Sequence, residues 1–376
     1  MTFTSYEDLR ACARRRLPRA LFDYADGGAG DELTLDRNRA DLDRMAFRQR
    51  VMVDVSRLSL ATTLAGCGAT LPVAIAPTGM AGWFRGNGEI LGARAAQAFG
   101  VPFCLSTMSV CSIEDVRAAV SAPFWFQLYL MRDRGFNAAL IERARAAGCP
   151  ALVLTLDLTV MGVRRRDVKS GLTTPPRLTW RNALDVASKP RWVAGVLLGK
   201  RHTFGNLEPL RAGGSDLASL AEWTAKQFDA SLTWHDVAWV RERWPGRLIL
   251  KGVLDAADAE LACRTGAEAI VVSNHGGRQL DGAPSSISVL PEVVDAVNGR
   301  CEVMLDGGIR SGADILRALA LGASGCLVGK AFLFALAAAG EAGVRTLLEL
   351  LQKELNAALA FTGQTDVQRV DRHVLR

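Results

Sequence analysis

A histidine and an arginine lie three residues apart in the segment SNHGGRQLDG and together suit chemistry on an anion. His275 could accept a proton, and Arg278 could hold a carboxylate beside it. The chain has four histidines, and this one directly follows a short apolar run. Asp157 ends another such run and could stabilise the protonated imidazole, although an aspartate at such a position also serves as a helix cap. The pattern predicts a base beside an anion-binding arginine.

Polar side chains and glycines also end the other apolar runs of the chain. The eight runs span residues 71–77, 101–107, 124–129, 151–157, 247–252, 269–274, 302–307 and 325–330. In a parallel barrel the carboxyl ends of the strands share one rim, and catalytic groups lie there. Besides His275 and Arg278, the residues expected at that rim are Pro77, Thr78, Gly79, Ser106, Gln127, Tyr129, Thr155, Asp157, Lys251, Ser273, Asp306, Gly307, Gly308, Arg310, Gly329 and Lys330.

The last two runs are followed by residues that suit a phosphate. Gly307 and Gly308 allow the backbone to approach an anion, and Arg310 and Lys330 supply positive charge. We expect the helix that begins near Ser311 to add its N-terminus. Barrel enzymes often bind phosphate after strands seven and eight. Glycines also occur in ordinary turns between a strand and a helix, so this segment alone leaves that alternative open.

The apolar runs alternate with amphipathic stretches, which is the pattern of strands joined by helices. The runs are short and rich in Val, Ile and Leu, as expected for parallel strands buried on both faces. Eight of them predict an α/β fold, a (β/α)8 TIM barrel. A doubly wound sheet is the rival, but the GxGxxG turn usual after its first strand does not occur there. We predict one domain over residues 1–376, with a helical N-terminal extension over about 1–70 and the barrel over about 71–345.

Charge and cysteine content narrow the classes of protein. The formal net charge is +6 and the sequence pI is about 9.0, which fits an anionic substrate, a phosphate-bearing cofactor, a membrane surface or nucleic acid. The eight cysteines form no CxxC pair and no zinc-like spacing with histidine, so we predict no metal site. No signal-peptide pattern and no run of about 18 apolar residues occurs. We therefore expect a reduced, cytoplasmic protein without a membrane-spanning helix.

Residues 158–246 separate the fourth run from the fifth, and loops of that length are usually functional or disordered. We expect a long insertion after strand four, over about 168–225. Within it, residues 169–203 carry seven basic residues against one acid, Asp185, with Trp and Leu interleaved. This composition suits an interfacial segment on an anionic membrane, and it also suits a mobile lid with a solvated basic face. No recognition motif accompanies the charge, so nucleic acid is not expected as a partner.

On these residues the chain resembles the FMN-dependent L-2-hydroxy acid dehydrogenases and oxidases. SNHGGRQLDG is the distinctive motif of that family, and the resemblance runs from DYADGGAGDELTLDRN to the final helix. Within the family, STMSVCSIEDV, WFQLYLMRDRGF, KGVLDAADA and GKAFLFALAAAGEAGV are most similar to bacterial respiratory L-lactate dehydrogenase, with mandelate dehydrogenase next. The resemblance implies FMN as the cofactor and a small L-2-hydroxy acid as the substrate.

The resemblance also implies a role for each site residue. His275 would take a proton from the substrate, Asp157 would pair with the resulting cation, and Lys251 would stabilise the reduced flavin. The implied catalytic residues are His275, Asp157, Tyr129 and Lys251. The implied substrate-binding residues are Tyr24, Tyr129, Arg164, His275 and Arg278. The implied FMN-binding residues are Pro77, Thr78, Gly79, Ser106, Gln127, Thr155, Lys251, Ser273, Asp306, Gly307, Gly308, Arg310, Gly329 and Lys330.

Three positions depart from the family's pattern. Lys330 stands where arginine is usual, so the phosphate loses a bidentate partner. Gly79 stands where the oxidases have alanine, and the dehydrogenase branch of the family shares this glycine. The stretch LTVMGV between Asp157 and Arg164 differs from the proline-containing versions of glycolate oxidase and lactate dehydrogenase, and it borders the expected substrate pocket.

The expected activity is oxidation of an L-2-hydroxy acid, first of all L-lactate to pyruvate, with electrons passed to a quinone or another acceptor. Two alternatives keep this chemistry: a dehydrogenase for mandelate or another aryl 2-hydroxy acid, and an oxidase that uses oxygen. A flavin-binding protein without turnover is the third, but binding alone needs no base. The resemblance further implies a homo-oligomer, a tetramer in the family, and the insertion suggests a peripheral location on the inner face of the cell membrane.

Overall fold

The computed structural model describes residues 2–172, 179–207 and 227–376. Its strands are β1 (Thr62–Leu64), β2 (Cys67–Ala69), β3 (Val73–Ile75), β4 (Cys104–Ser106), β5 (Trp125–Leu128), β6 (Ala151–Thr155), β7 (Arg247–Val253), β8 (Ala269–Val272), β9 (Glu302–Asp306) and β10 (Gly325–Val328). The last eight form one parallel sheet in the order β3-β10-β9-β8-β7-β6-β5-β4. A parallel bridge between Ile75 and Phe103 joins its two ends. The predicted (β/α)8 barrel is confirmed.

Helices surround this barrel. In the described residues they are α1 (Tyr6–Arg16), α2 (Arg19–Asp26), α3 (Leu33–Arg44), α4 (Ala81–Phe84), α5 (Gly88–Phe99), α6 (Ile113–Ala119), α7 (Arg134–Ala146), α8 (Arg165–Lys169), α9 (Trp180–Ala187), α10 (Pro190–Leu197), α11 (Trp234–Arg243), α12 (Ala256–Arg264), α13 (Ser286–Val297), α14 (Gly312–Ala320) and α15 (Lys330–Thr362). Ser112, Asp133 and Ser311 cap the first turns of the helices after β4, β5 and β9. Such caps fix where each helix begins, so they help to hold the strand ends at one rim.

The hairpin β1–β2 closes the amino end of the barrel. Leu64 and Ala65 pack into the barrel interior with Trp125 and Met304. The backbone N–H of Ala65 donates to the carboxylate of Glu302 over 2.8 Å. The sequence predicted only irregular structure for this segment, because strands of three residues are too short to show an alternation of apolar and polar positions.

The first three helices form the predicted extension and pack beside the barrel. The rings of Tyr6 and Phe22 lie 5.9 and 5.6 Å from that of Phe334 on α15, between ring centroids. Helix α3 carries Asn38 to the carboxyl ends of the strands, where its amide pairs with that of Asn274. The extension therefore contributes to the functional rim as well as to the core.

Helix α15 follows β10 and is kinked at Ala339 and Gly340, where the backbone is not helical. By length and composition it could cross a membrane, but 72% of its most apolar stretch is buried in the protein. It packs against α1, α5 and α14. These contacts are those of a core helix that completes the layer around the barrel.

The described part of the insertion forms α8, α9 and α10. Helices α9 and α10 contain no buried residue. Their large exposed apolar side chains, with that of the residue after α10, are Trp180, Leu184, Leu197 and Leu198. Lys200 and Arg201 pair with Asp115 of α6 and attach this segment to the barrel. Residues 173–178 and 208–226, with part of the expected insertion and its Arg177, lie outside the described residues.

Candidate active site

A cavity of about 760 Å³ opens at the carboxyl ends of the barrel strands. The predicted site residues that line it are Tyr24, Pro77, Thr78, Gly79, Tyr129, Arg164, Lys251, His275, Arg278, Asp306, Gly307, Gly308, Arg310, Gly329 and Lys330. The remaining ones lie behind its wall, hydrogen-bonded to lining residues or to one another; they are Ser106, Gln127, Thr155, Asp157 and Ser273. The structure thus brings all of the predicted site residues to one rim.

His275 follows β8 in a turn of left-handed residues. Its φ is +58°, and Gly276 and Gly277 follow at +65° and +73°. This conformation is strained for a histidine. The backbone N–H of His275 donates to Oγ of Ser273 over 3.0 Å, which helps to hold the turn. The turn places the imidazole against the cavity.

The imidazole of His275 is joined to the carboxylate of Asp157, with Nδ1 2.9 Å from Oδ1. With Asp157 accepting at Nδ1, the neutral ring carries its free lone pair on Nε2. Burial raises the pKa of the Asp157 carboxyl, but the charge and hydrogen bond of His275 and the charge of Lys251 outweigh burial and lower the pKa below its usual value. The ionised carboxylate can therefore stabilise a protonated imidazole.

The approach of Asp157 to this position depends on Gly252, which the sequence did not single out. Strand β7 shifts register between Lys251 and Val253, and Gly252 has φ +102°. A Cβ at Gly252 would lie 2.7 Å from Cγ of Asp157. A larger residue would therefore both strain the strand and displace the carboxylate.

Lys251 is a buried cation beneath the cavity. Its Nζ donates to Oγ of Ser273 over 2.8 Å and lies 2.8 Å from Oδ2 of Asp306. Burial lowers the pKa of Lys251, but the carboxylates of Asp306 and Asp157 outweigh burial and raise the pKa above its usual value. The ammonium stays protonated, which suits a position beside a group that becomes negative during the reaction.

Three side chains behind the cavity form a chain of hydrogen bonds. Oε1 of Gln127 accepts from the hydroxyl of Ser106 over 3.1 Å and from the N–H of Thr107 over 3.2 Å. Its Nε2 donates to Oγ1 of Thr155 over 3.0 Å. The bonds fix the amide orientation and give a preformed polar strip, which suits a planar heteroaromatic ring.

Arg278 and Tyr24 lie together on another wall of the cavity. The guanidinium carbon of Arg278 is 4.4 Å from the centre of the Tyr24 ring. Nη1 of Arg278 donates to the backbone carbonyls of Tyr24 and Gly27, whereas Nη2 is buried without a partner in the described residues. The free N–H groups of Nη2 are available to a bound anion.

Arg164 and Tyr129 complete this wall. Arg164 donates to the backbone carbonyl of Arg278 over 3.3 Å and to the side chain of Gln279 over 3.2 Å. Burial and the charge of Arg278 lower the pKa of Arg164, so the two cations repel in the absence of an anion between them. Burial and the charge of Asp157 raise the pKa of Tyr129, so its phenol stays a hydrogen-bond donor. This arrangement favours a carboxylate.

The glycines after β9 bring backbone close to the cavity. Gly307 and Gly308 have φ of +100° and +85°, which side chains disfavour. Arg310 lies over the ring of Tyr6, and Nζ of Lys330 donates to the carbonyls of Asp26 and Gly27 over 3.1 and 2.8 Å. Burial and the charge of Arg278 lower the pKa of Lys330 well below its usual value. A phosphate would relieve this penalty by supplying the missing negative charge.

The expected use of the helix near Ser311 is wrong. The backbone N–H groups of Arg310 and Ser311 donate to Asp314, and that of Gly312 donates to Glu354. The capping box of α14 therefore occupies the donors that a phosphate would need. Helix α15 offers them instead, because Gly329 caps it without a side chain and lines the cavity with Lys330.

The residues present fit FMN. Buried polar atoms normally have partners, but Oγ1 of Thr78 and Oδ1 of Asp306 have none in the described residues. They face a cavity that also carries the glycine turn and the cation of Lys330. Ring nitrogens, ribityl hydroxyls and a phosphate would satisfy this set of groups. The described residues contain no group of three His, Cys, Asp or Glu side chains able to hold a metal ion.

Two further polar contacts were not assigned from the sequence. The amides of Asn38 and Asn274 exchange hydrogen bonds of 2.9 and 2.7 Å and tie α3 to the turn of His275. Nε2 of Gln279 donates to the carbonyls of Asp157 and Val160 over 2.8 and 3.1 Å. Gln279 belongs to the quoted motif, whereas the Asn38 pair joins residues 236 apart, a separation that sequence patterns do not reveal.

The outer part of the cavity is largely apolar. Met80, Trp83, Met108 and Met161 line it. The insertion adds a second set that no short motif indicated: Leu172, Val186, Trp192, Val196, Leu197 and Phe204. The segment that carries the basic charge therefore also covers the site.

Comparison with known proteins gives the family. A family model described as FMN-dependent dehydrogenase matches residues 13–376. A protein of Caulobacter sp. (strain K31) named L-lactate dehydrogenase is 51% identical over 376 residues, covering 100% of this chain and 99% of that protein. A Pseudomonas aeruginosa (strain UCBPP-PA14) protein of the same name is 48% identical over 371 residues, covering 98% of this chain and 97% of the relative.

Solved structures agree in fold. One titled monotopic membrane protein (S)-mandelate dehydrogenase has a TM-score of 0.95 and 37% identity, and covers 100% of both chains. A mandelate oxidase structure has a TM-score of 0.85 and 39% identity, covering 100% of this chain and 98% of the other. The fold of the whole chain, the barrel with its extension, is thus shared with these solved structures.

Proposed function

Since the chain belongs to the family of FMN-dependent dehydrogenases that act on L-2-hydroxy acids, we propose that it oxidises L-lactate to pyruvate with His275 as the base. The observation that carries this proposal is the His275–Asp157 pair, which meets a cavity edged by Arg164 and Arg278. A base beside two cations suits proton removal from a small hydroxy carboxylate. Relatives named L-lactate dehydrogenase support lactate as the substrate.

FMN, when bound, supplies an acceptor for the two electrons that leave the substrate carbon. The polar strip of Ser106, Gln127 and Thr155 and the hydroxyl of Thr78 would hold its ring. Asp306 would take the ribityl chain. The remaining contacts would come from Pro77, Gly79, Ser273, Gly307, Gly308, Arg310, Gly329 and Lys330. Support for this assignment comes from their common position at or behind one cavity.

Two cations and two phenols would hold the substrate. Nη2 of Arg278, buried without a partner in the part of the chain that is described, would bind the carboxylate with Arg164. The hydroxyl of Tyr24 would add a third donor. Tyr129, protonated because its pKa is raised, would donate to the substrate hydroxyl or the developing oxo group. This fixation would leave the reacting carbon facing His275.

His275 would accept the substrate proton on Nε2 while Nδ1–H stays bonded to Asp157. The resulting imidazolium would be stabilised by the carboxylate at 2.9 Å. Lys251, held positive by Asp306 and Asp157, would stabilise negative charge at the cofactor edge. His275 would thus take the proton, Asp157 would stabilise the imidazolium, and Lys251 would stabilise the negative charge at the cofactor.

A second candidate is oxidation of mandelate or another aryl 2-hydroxy acid. The apolar outer cavity, with Met108, Met161 and Phe228 in its wall, has room for a ring, and methionine adapts to different shapes. The solved structures named for mandelate favour the same alternative. The higher identity of the L-lactate dehydrogenase relatives keeps lactate first.

For the electrons we propose a membrane quinone, or another acceptor, reached from a peripheral position on the inner face of the membrane. Exposed apolar side chains on α9 and α10 support membrane contact, and the monotopic mandelate dehydrogenase is a structural relative. A homo-oligomer, a tetramer, remains part of the proposal, and sedimentation of the purified protein would test it.

The substrate is tested by anaerobic bleaching of the flavin with L-lactate, D-lactate, glycolate and L-mandelate. We expect L-lactate to bleach the yellow protein fully and D-lactate to leave it unchanged. Faster bleaching by L-mandelate would move the assignment to the second candidate. Failure of all four acids would overturn the proposed activity while leaving the FMN site standing.

A further inference from the structure

Two of the cysteines lie side by side on the outer layer of the barrel. Sγ of Cys263 is 3.4 Å from Sγ of Cys301. Cys263 belongs to the last turn of α12, and Cys301 directly precedes β9. Both side chains are partly exposed, whereas five of the other six cysteines are buried. We refer to Cys263 and Cys301 as the thiol pair; its sulfurs touch one another and can be reached from solvent.

The thiol pair lies at the face of the barrel opposite the proposed active site. Helix α12 starts beside the carboxyl end of β7 and runs back to the amino ends of the strands, where its last turn carries Cys263. Neither cysteine is among the described residues that line the active-site cavity. In barrel enzymes this amino-terminal face contributes to stability, whereas the chemistry takes place at the other face. A change at the thiol pair is therefore expected to act on stability.

The chain around the thiol pair can bring the two sulfurs together. The sulfurs of a disulfide are about 2.0 Å apart, so these two would have to approach by roughly 1.4 Å. Gly299, two residues before Cys301, has φ +71° and open space where a Cβ would stand. Gly266, just after α12, has φ +75°. Turns at the surface move more easily than the strands they join, so a shift of this size need not disturb the barrel.

The two thiols differ in their surroundings. Burial and the hydrogen bond with Cys263 raise the pKa of Cys301 to about 12. Cys301 therefore stays a thiol, and its S–H can donate to the sulfur of Cys263. Since the thiolate is the form that attacks an oxidant, we assign the first attack to Cys263 and the second step to Cys301.

We propose that Cys263 and Cys301 form a reversible disulfide when the protein meets hydrogen peroxide. The thiolate of Cys263 attacks one peroxide oxygen, the O–O bond breaks, and the departing hydroxide takes up the proton that Cys263 released. This step leaves a sulfenic acid on Cys263. The sulfur of Cys301 then attacks Sγ of Cys263, the S–S bond forms, and the S–O bond breaks. The second hydroxide takes the proton of Cys301, so two thiols lose two electrons and the peroxide becomes two waters.

The disulfide would close a loop that carries the proposed base. Residues 263–301 contain β8, the turn of His275 and Arg278, and α13. A cross-link restricts the unfolded chain and so stabilises the folded one. In a reducing compartment such a bond is transient. The thiol pair would therefore protect the unit that carries His275 during exposure to peroxide, and thiol reductants would restore the original form.

The test uses the purified FMN-loaded protein, treated with hydrogen peroxide, blocked with iodoacetamide and digested with trypsin. We expect mass spectrometry to show residues 252–264 joined to residues 301–310, with the mass of two hydrogens missing. The pair variant is Cys263→Ser. The matched control is Cys67→Ser, which removes another partly exposed thiol, one that accepts from the indole N–H of Trp125 over 3.3 Å.

Melting curves measure the consequence. Peroxide should raise the Tm of the wild-type protein and of Cys67→Ser by about 3–6 °C, since the disulfide closes a loop of roughly forty residues in a chain of this size. Dithiothreitol should reverse the rise. Cys263→Ser should show no rise. Cys301→Ser should hold a sulfenic acid at position 263, which dimedone would label.

Four results would overturn the proposal. Wild-type protein that yields both peptides separately alkylated after peroxide would remove the disulfide. A cross-linked protein whose Tm is unchanged or lowered would remove its protective role. An equal rise of the Tm in Cys263→Ser would assign the effect to oxidation elsewhere. Absence of the dimedone label at position 263 in Cys301→Ser would overturn the assigned order of attack.

Discussion

Replacing Asp157 with asparagine isolates the charge behind the proposed base. The side chain keeps its shape, but the carboxylate 2.9 Å from Nδ1 of His275 is lost. The amide can also present its NH₂ group to Nδ1, which would move the imidazole proton to Nε2 and remove the lone pair that faces the substrate. We therefore expect slower flavin reduction with little change in substrate binding.

The size of the effect follows from the geometry. Two unit charges about 4 Å apart interact by about 4 kcal/mol at an effective dielectric constant of 20. Because the imidazole carries between half and all of its charge in the transition state, the loss is about 2–4 kcal/mol, or roughly 30- to 1,000-fold in rate. The side chain at position 157 packs against Gly252 and lies near the charge of Lys251. We therefore expect little rearrangement of the neighbouring groups to compensate for the lost carboxylate.

The assay is anaerobic stopped-flow reduction of the flavin at saturating L-lactate. The matched control is Asp167→Asn, which removes a carboxylate from the same cavity that is not hydrogen-bonded to the imidazole in the described structure. We expect the control to stay within about fivefold of the wild-type rate. An Asp157→Asn variant that reduces flavin within threefold of wild type would refute the role of the pair.

Three other perturbations follow from particular contacts. Gly252→Ala should slow flavin reduction about as much as loss of the carboxylate, because its Cβ would lie 2.7 Å from Cγ of Asp157. The control Gly148→Ala is also at positive φ but has open space around it, so it should change stability alone. Stopped-flow flavin reduction and melting curves separate the two effects. Lys330→Met should weaken FMN binding by roughly 13- to 160-fold in fluorescence titration of apoprotein, since a charged hydrogen bond contributes about 1.5–3 kcal/mol. Unchanged affinity would remove Lys330 from the phosphate site. Burial raises the pKa of Asp115, but Lys200 and Arg201 outweigh it and lower the pKa to about 2. This stabilisation is present above about pH 4 and is lost as pH falls through 2, so Asp115→Asn should lower the Tm by a few degrees at pH 7 and by much less near pH 2.

The rim of the barrel could be predicted because its chemistry is local in the sequence. Each apolar run ends in the polar residues that the fold then collects, so Thr78, Lys251 and Asp306 needed only strand assignment to be placed together. His275 and Arg278 are close in sequence and carried by one turn. The apolar runs and the residues at their ends are therefore enough to predict most of the site residues.

Contacts between distant residues could not be predicted in the same way. Whether Gly252 leaves space for Asp157 depends on a register shift in β7, and no local pattern encodes that shift. The capping box of α14, formed by Ser311 and Asp314, and its cost to phosphate binding appeared only with the geometry. The hairpin β1–β2 was not predicted, because strands of three residues are too short to show an alternation of apolar and polar positions.

The most direct test of the account is anaerobic flavin reduction by L-lactate in His275→Asn. The account predicts a yellow protein with wild-type FMN content that L-lactate reduces about 10²- to 10⁴-fold more slowly than wild type, the range that a general base contributes. Reduction of His275→Asn at a rate within a few-fold of wild type would contradict the central claim, because the proton would then leave the substrate without this imidazole.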